Sequence, residues 1–147
     1  MKIKVIWIGK TKEPAIQSLT DEYLKRISRY ADIEGTAVSN EEAFLKLRQR
    51  SGTRPAFTLV LLDSRGKQFT SEGFAAFVKD QFASKTQPLL FAIGGADGFS
   101  DTARQSAAHV ISLGTMTMAH EIARVAFLEQ LYRAFAILNR HPYHSGH

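Results

Sequence analysis

Leu89-Leu-Phe-Ala-Ile-Gly-Gly-Ala-Asp-Gly98 is a run of five apolar residues that stops at a glycine-rich turn. A continuous apolar run this short, bounded by turn residues, is the pattern of a strand buried on both faces, as in a parallel sheet. A second such run, Phe57–Leu62, follows the turn signal Ser51-Gly-Thr-Arg-Pro55 and precedes Asp63-Ser-Arg-Gly-Lys67, which reads as a loop. Lys2–Ile8 alternates charged and apolar residues, the mark of a half-buried strand, and Ile33–Val38 and His109–Leu113 add two more strands. Helical segments lie between them. Glu13–Tyr30 places Ile16, Leu19, Tyr23, Leu24 and Ile27 on one face. Glu41–Arg50 starts behind Asn40, Ser71–Ser84 carries Phe74, Phe77, Val78 and Phe82, Ser100 caps a short helix over Thr102–Ala108, and Ala119–Leu138 closes the series. Alternating strands and helices predict an α/β fold, a mostly parallel sheet with helices on both faces, in one domain over residues 1–147.

The last helix is apolar nearly all round, with Ile122, Val125, Phe127, Leu128, Leu131, Tyr132, Phe135, Ile137 and Leu138 on most of its circumference. Such a helix is buried on more than one side. In a chain of 147 residues a second subunit is the expected cover, the alternative being a central helix of a monomer.

Composition excludes several chemistries. The chain has no cysteine, so disulfides, thiolate nucleophiles and cysteine zinc sites are absent. No apolar run reaches the length of a membrane span, and the basic-then-apolar start, broken at Gly9-Lys-Thr-Lys-Glu-Pro14, reads as a strand rather than a signal peptide. A cytoplasmic, membrane-free protein is expected. The net charge of +5 favours a polyanionic partner.

Candidate chemistry gathers late in the chain. Gly94-Gly95-x-x-Gly98 joins a strand to a helix, and two readings stand: a loop whose backbone approaches a ligand, or a tight turn. The first strand carries no G-x-G-x-x-G, which argues against an ordinary dinucleotide or flavodoxin-like site. His120-Glu-Ile-Ala-Arg124 has the outline of a zincin helix, but arginine stands where the second histidine is required, and His141-x-x-His144-x-x-His147 is a poor metal set, so no metal is expected. Asp63 and Asp97 sit at strand ends, where α/β sites form or where turns are capped.

The set as a whole resembles the SPOUT methyltransferases with a C-terminal trefoil knot, and in particular the ribosomal RNA large subunit methyltransferase H family. The resemblance runs the length of the chain: Val5-x-x-Ile-Gly-Lys-x-Lys-Glu13, Glu22-Tyr-Leu-Lys-Arg-x-Ser-Arg-Tyr30, Leu61-Leu-Asp-x-x-Gly-Lys67, Phe91-x-Ile-Gly-Gly-Ala-x-Gly98, Met116-Thr-x-x-His-Glu-x-Ala-Arg124, Glu129-Gln-Leu-Tyr-Arg-Ala134 and Pro142-Tyr-His144. It implies a homodimer that binds S-adenosylmethionine in the knot and methylates N3 of a pseudouridine in 23S ribosomal RNA on the assembled ribosome. A non-catalytic ribosome-binding dimer of the same fold is the alternative.

The resemblance implies a cofactor pocket made of Leu62, Gly94, Gly95 and Gly98 with the loop Leu113, Gly114, Thr115, Met116, Thr117 and Met118. Backbone groups there hold an adenine edge and leucine and methionine side chains sandwich its ring. Gly114 stands where relatives often carry serine, and Ser145 where a basic residue often follows Pro-Tyr-His. His144, Arg140, Tyr143 and Arg124 are the expected catalytic set. The arginines or His144 would stabilise charge on the acceptor, His144 or His120 would act as base, and Tyr143 would stack on a base. Lys2, Lys4, Lys10, Lys12, Lys25, Arg26 and Arg29 are candidates for phosphate contacts.

Overall fold

The computed structural model describes residues 1–48, 57–84, 87–95 and 97–144. The expected turn at Ser51–Pro55, the end of the helix expected to reach Arg50, and Ser145 and His147 lie outside the described residues.

Among these residues five strands, β1 (Lys2–Ile8), β2 (Asp32–Val38), β3 (Thr58–Gln68), β4 (Leu89–Ile93) and β5 (His109–Ser112), form one all-parallel sheet in the order β2-β1-β4-β3-β5. Among the described residues five helices accompany them: α1 (Pro14–Ile27), α2 (Glu41–Arg48), α3 (Ser71–Ser84), α4 (Asp101–Ser106) and α5 (His120–Leu138). The period-2 alternation of the strands sorts the core into two layers. Ile3, Val5, Trp7, Val60, Leu89, Phe91, Ile93 and Ile111 face α1, α3 and α5. Ile6, Leu59, Leu61, Leu90 and Ala92 face Phe44 of α2 and Ala103 of α4. The steps β1→β2 and β3→β4 run one way along the sheet and carry α1 and α3 on one face. The steps β2→β3 and β4→β5 run the other way and carry α2 and α4 on the opposite face. All four crossovers therefore share one hand, the constraint that twisted strands impose on parallel connections.

Local chemistry sets the helix ends. Pro14 occupies the first turn of α1, where a missing N–H costs nothing. Asn40 Oδ1 accepts the Ala43 N–H at 2.9 Å, and Ser100 Oγ accepts that of Ala103 at 3.1 Å, so both expected caps are present. Glu41 of α2 in turn accepts the Ser100 N–H at 2.8 Å and its hydroxyl at 2.6 Å, tying the starts of α2 and α4 together.

Three expectations change. The helix expected to reach Tyr30 ends at Ile27, where the Ser28 hydroxyl turns back to the Lys25 carbonyl at 2.5 Å. Asp63–Lys67 is not a loop: β3 continues through it, with a register irregularity between Leu62 and Lys67, and pairs again with β5 at Lys67–Ile111 and Gln68–Ser112. Gly66 permits this, because a Cβ there would stand 2.6 Å from the backbone of Val110 and Ile111. Finally, α5 finds most of its cover within the chain. It lies between α1 and α3, with Phe127 packed on Phe91 and Phe74 at ring-centroid distances of 4.9 and 6.1 Å. What stays uncovered is its first turn, where Ile122 is 53% exposed beside Leu19 of α1 at 44%.

Candidate functional site

The carboxyl ends of β3, β4 and β5 open into a cavity of about 270 Å³, the place where parallel α/β sheets bind ligands. Leu62 and Asp63 come from β3, Ile93, Gly94 and Gly95 from the end of β4, and Asp97, Gly98 and Phe99 from the turn that follows. Ser112, Leu113, Gly114, Met116, Thr117 and Met118 close it from the segment after β5, with His120 and Ala123 of α5 behind them. Nine of the ten residues expected to form a cofactor pocket line this cavity; Thr115, in the same loop, does not.

The glycine loop is shaped for close approach. Gly98 has φ +70°, a conformation side chains rarely take, and its N–H donates to the Gly95 carbonyl at 3.0 Å. A Cβ on Gly94 would lie 3.2 Å from the Gly98 carbonyl carbon and 3.2 Å from Phe99 Cε2. Gly94 and Gly98 thus pack backbone against backbone, and a side chain at Gly94 would press the loop and Phe99 apart. In the second loop, Ser112 Oγ receives the Gly114 N–H at 3.0 Å and donates to the Gly114 carbonyl at 2.8 Å, so the backbone at Gly114 is pinned without a side chain. Met116 is 84% exposed, and Leu113 and Met118 are also exposed, leaving the apolar rim of the loop open.

A charged cluster stands on the α4 side of the cavity. Arg104 Nη1 reaches Asp63 Oδ2 at 3.3 Å and the Phe99 carbonyl at 2.5 Å, and Nη2 bonds Asp101. Burial opposes the guanidinium charge, but Asp101 and Asp63 outweigh it and its pKa rises. Sequence reading marked Asp63 and Asp97 but missed Arg104 and Arg65; the signal was Arg104 three residues after the acidic first turn behind the Ser100 cap.

The expected catalytic residues lie elsewhere in the chain. Arg124 is 1% exposed, stacked on Trp7 at 4.3 Å from the ring centroid, with Nη1 donating to Thr11 Oγ1 at 2.6 Å. Burial lowers its pKa, with Glu121 acting in the opposite sense. Glu121 ties the segment after β1 to α5, accepting the Lys12 N–H at 2.7 Å, which holds its own pKa below the ordinary carboxylate range. Arg140 is exposed at a left-handed turn, φ +55°, just after α5.

The tail folds back on the helices. Tyr143 packs edge-on to Tyr132 at 4.7 Å, and its hydroxyl donates to Glu129 Oε1 at 3.0 Å. Burial, then hydrogen bonds with Tyr23 and Glu129, raise the phenol's pKa. His144 Nδ1 is 3.0 Å from Arg133 Nη1 and Nε2 is 2.9 Å from Glu72 Oε1. Arginine only donates and the carboxylate accepts, so an Nε2–H tautomer satisfies both contacts. That bond also holds the Glu72 pKa below its ordinary value. Of the basic residues, Lys4 is paired with Glu34 at 3.1 Å and Arg26 with Glu22 at 2.9 Å. Lys10 and Lys12 follow β1 at the cavity's end of the sheet.

Among the described residues no cluster of three or more His, Asp or Glu side chains is arranged to hold a metal ion, and no helix is long and apolar enough to cross a membrane. An all-parallel α/β domain with a glycine-cradled cavity at its strand ends, completed by the segment leading into its last helix, defines a small-ligand-binding domain of the kind that group-transfer enzymes use. Residues 1–144 match the family profile described as predicted SPOUT methyltransferase, and the chain belongs to that family.

The chain is 55% identical over 147 residues to "Ribosomal RNA large subunit methyltransferase H" of Koribacter versatilis, covering all of both chains. It is 42% identical over 152 residues to the protein of that name from Geobacter sulfurreducens, covering 98% of this chain and 99% of the relative. Among solved structures, a probable methyltransferase from Bordetella pertussis aligns at TM-score 0.57 and 9% identity, covering 91% of this chain and 94% of that one. The SpoU methyltransferase AviRb from Streptomyces viridochromogenes, in complex with the cofactor AdoMet, aligns at TM-score 0.51 and 16% identity, covering 90% and 57%. SPOUT methyltransferases use S-adenosylmethionine as methyl donor, and the cradle at Gly94 and Gly98 fits a ligand held close to backbone.

Proposed function

We propose that this protein methylates N3 of a pseudouridine in 23S ribosomal RNA on the assembled large subunit, acting as a homodimer with a knotted C-terminal segment. The observation that carries the reading is the cavity itself: its glycine cradle and second loop sit in a chain that aligns end to end with relatives named for large-subunit ribosomal RNA methylation. S-adenosylmethionine, when bound, supplies an electrophilic methyl group on a sulfonium. The residues of the chain do the rest. Leu62, Gly94, Gly98 and the backbone of Leu113–Met118 hold the donor, and alignment of the acceptor nitrogen with the methyl group is the main catalytic demand. The acceptor is a weakly acidic imide, so its proton must leave and its carbonyl charge must be stabilised.

Because Arg140, Tyr143 and His144 lie outside the cavity of their own protomer, we assign them to the cavity of a second copy. Exposed Leu19, Ile122 and Met118 border a groove of about 730 Å³ along α1 and α5 that a second chain would cover. His144 acts as base there only once its Nδ1 lone pair has left Arg133. Lys10 and Lys12 lie where RNA phosphates would approach. The test is transfer of labelled methyl groups from S-adenosylmethionine to ribosomes lacking the modification, with and without prior pseudouridylation. Labelling of the pseudouridylated ribosomes alone supports the assignment. No labelling of either by a folded dimer refutes it, and leaves a ribosome-binding module.

A further inference from the structure

Leu62 and Asp63 are consecutive on β3 and so point to opposite faces of the sheet. Leu62 packs against the apolar layer under α5, whereas Asp63 turns toward α4 and Arg104. The cavity consequently has one apolar wall and one charged wall. The charged wall is buried structure: the side chain of Asp63 is 8% exposed and that of Arg104 15%. Arg104 is committed to the fold, with donors to Asp63, Asp101 and the Phe99 carbonyl. Asp63 is not saturated by the contacts it makes. It accepts the Arg65 N–H at 2.9 Å and one N–H of Arg104, while a carboxylate offers about four acceptor sites. Gly98 leaves the approach to it open, since even a Cβ there would stop 4.0 Å from Asp63 Oδ2. Arg65 is the contrast to Arg104. Its side chain is 70% exposed and only loosely paired, 3.9 Å from Asp101.

S-adenosylmethionine has two unlike ends, a neutral purine nucleoside and an α-amino acid zwitterion. The apolar wall suits the first. The second needs a fixed anion and a movable cation within reach of each other, which is what β3 provides. Resting on the methyltransferase reading above, we infer that Asp63 accepts the α-ammonium of the donor, Arg65 closes on its α-carboxylate, and Arg104 is a positioning residue that orients Asp63. Asp97, exposed on the turn, is screened by solvent and contributes little.

Titration calorimetry with three nucleosides separates the roles. S-adenosylhomocysteine carries both groups, decarboxylated S-adenosylmethionine carries the ammonium alone, and 5′-methylthioadenosine carries neither. The wild-type protein is expected to bind them in that order. D63N should weaken the first two by about 10–100-fold and leave 5′-methylthioadenosine within about 2-fold, the scale of one charge-assisted hydrogen bond. R104Q should give the same pattern more weakly. R65Q should weaken S-adenosylhomocysteine alone, and since Arg65 is exposed this variant keeps the test intact even where D63N does not fold. Equal loss of all three ligands in D63N and R65Q, or no loss in either, overturns the inference. Failure of the wild-type protein to bind any of the three overturns the methyltransferase reading with it.

Discussion

Replacing Gly66 by alanine tests whether β3 really runs on past Leu62. The added Cβ would sit 2.6 Å from Ile111 N, Ile111 C and Val110 C, all backbone atoms of one short segment, so no side-chain rotation relieves the overlap. Carbon contacts settle near 3.5 Å, which requires the two strands to part by about 1 Å. Ladder hydrogen bonds of about 2.9 Å stretched by that amount are no longer bonds. The pairs Lys67–Ile111 and Gln68–Ser112 should therefore open. Overpacking costs about 1–3 kcal/mol, and two lost ladder bonds add about 1 kcal/mol each. The smaller entropy of an unfolded chain with alanine returns only about 0.4–1 kcal/mol. The net loss is about 3 kcal/mol, or a Tm lower by about 6–12 °C for a chain of this size. Thermal unfolding followed by circular dichroism measures it, with urea titration as the check. A Gly66→Ala protein as stable as the wild type, or more so, would mean that Asp63–Lys67 is the loop its composition suggests and that β5 ends its pairing at Leu62.

The remaining predictions concern single contacts. Arg124→Met keeps the unbranched stem but removes a charge that the fold penalises, so stability should stay equal or rise by about 1 kcal/mol. The emission of Trp7, the one tryptophan, should change as the guanidinium leaves its ring. A clear loss of stability on urea unfolding would show that the cation–π stack dominates. Ile122→Glu places a charge on the exposed apolar patch and should convert a dimer to a monomer by sedimentation without unfolding it; an unchanged dimer would move the interface elsewhere. His144→Ala should cut methyl transfer while leaving donor affinity unaltered, because the side chain is absent from the donor cavity of its own chain and is assigned to the acceptor side of a second copy's; equal loss of both would remove it from the catalytic set. Glu121 has a lowered folded pKa, so its contribution is complete above the unfolded value near 4.5 and disappears as pH falls through the lower folded one. The stability gap between wild type and Glu121→Gln should accordingly shrink between pH 6 and pH 3, and a gap independent of pH would contradict it.

Where sequence and structure part, the reasons are physical. The strands and helices that the periodicity marked are all present, because burial on one or both faces writes itself into residue order as period 2, period 3.6 or unbroken apolarity. Asp63–Lys67 misled because its polar, glycine-bearing composition is that of a turn. Nothing local says that Gly66 lets a second backbone come within van der Waals range. The glycines alone left a ligand loop and a tight turn both open, and Leu113–Met118 was marked as part of the pocket through the family resemblance; both segments line the cavity. Arg104 was not legible, since an arginine in a short capped helix looks the same whether it meets solvent or a buried carboxylate. The apolar circumference of α5 pointed to a second subunit; α1 and α3 cover most of it, and among the described residues Ile122 at its start, with Leu19 and Met118 beside it, stays exposed.

The position of β4 also governs how the chain acquires its shape. Leu89–Ile93 is hydrogen-bonded to β1 on one side and β3 on the other, both made earlier in synthesis. A nascent chain that has not yet produced residue 93 holds two strand edges with nothing between them, and each is a template for pairing with a neighbouring molecule. The middle of the sheet is thus inserted last but one, over long loop closures that slow folding. No fragment ending before β4 can be a stable unit, and a stalled or truncated product should be found in aggregates rather than as a smaller soluble domain.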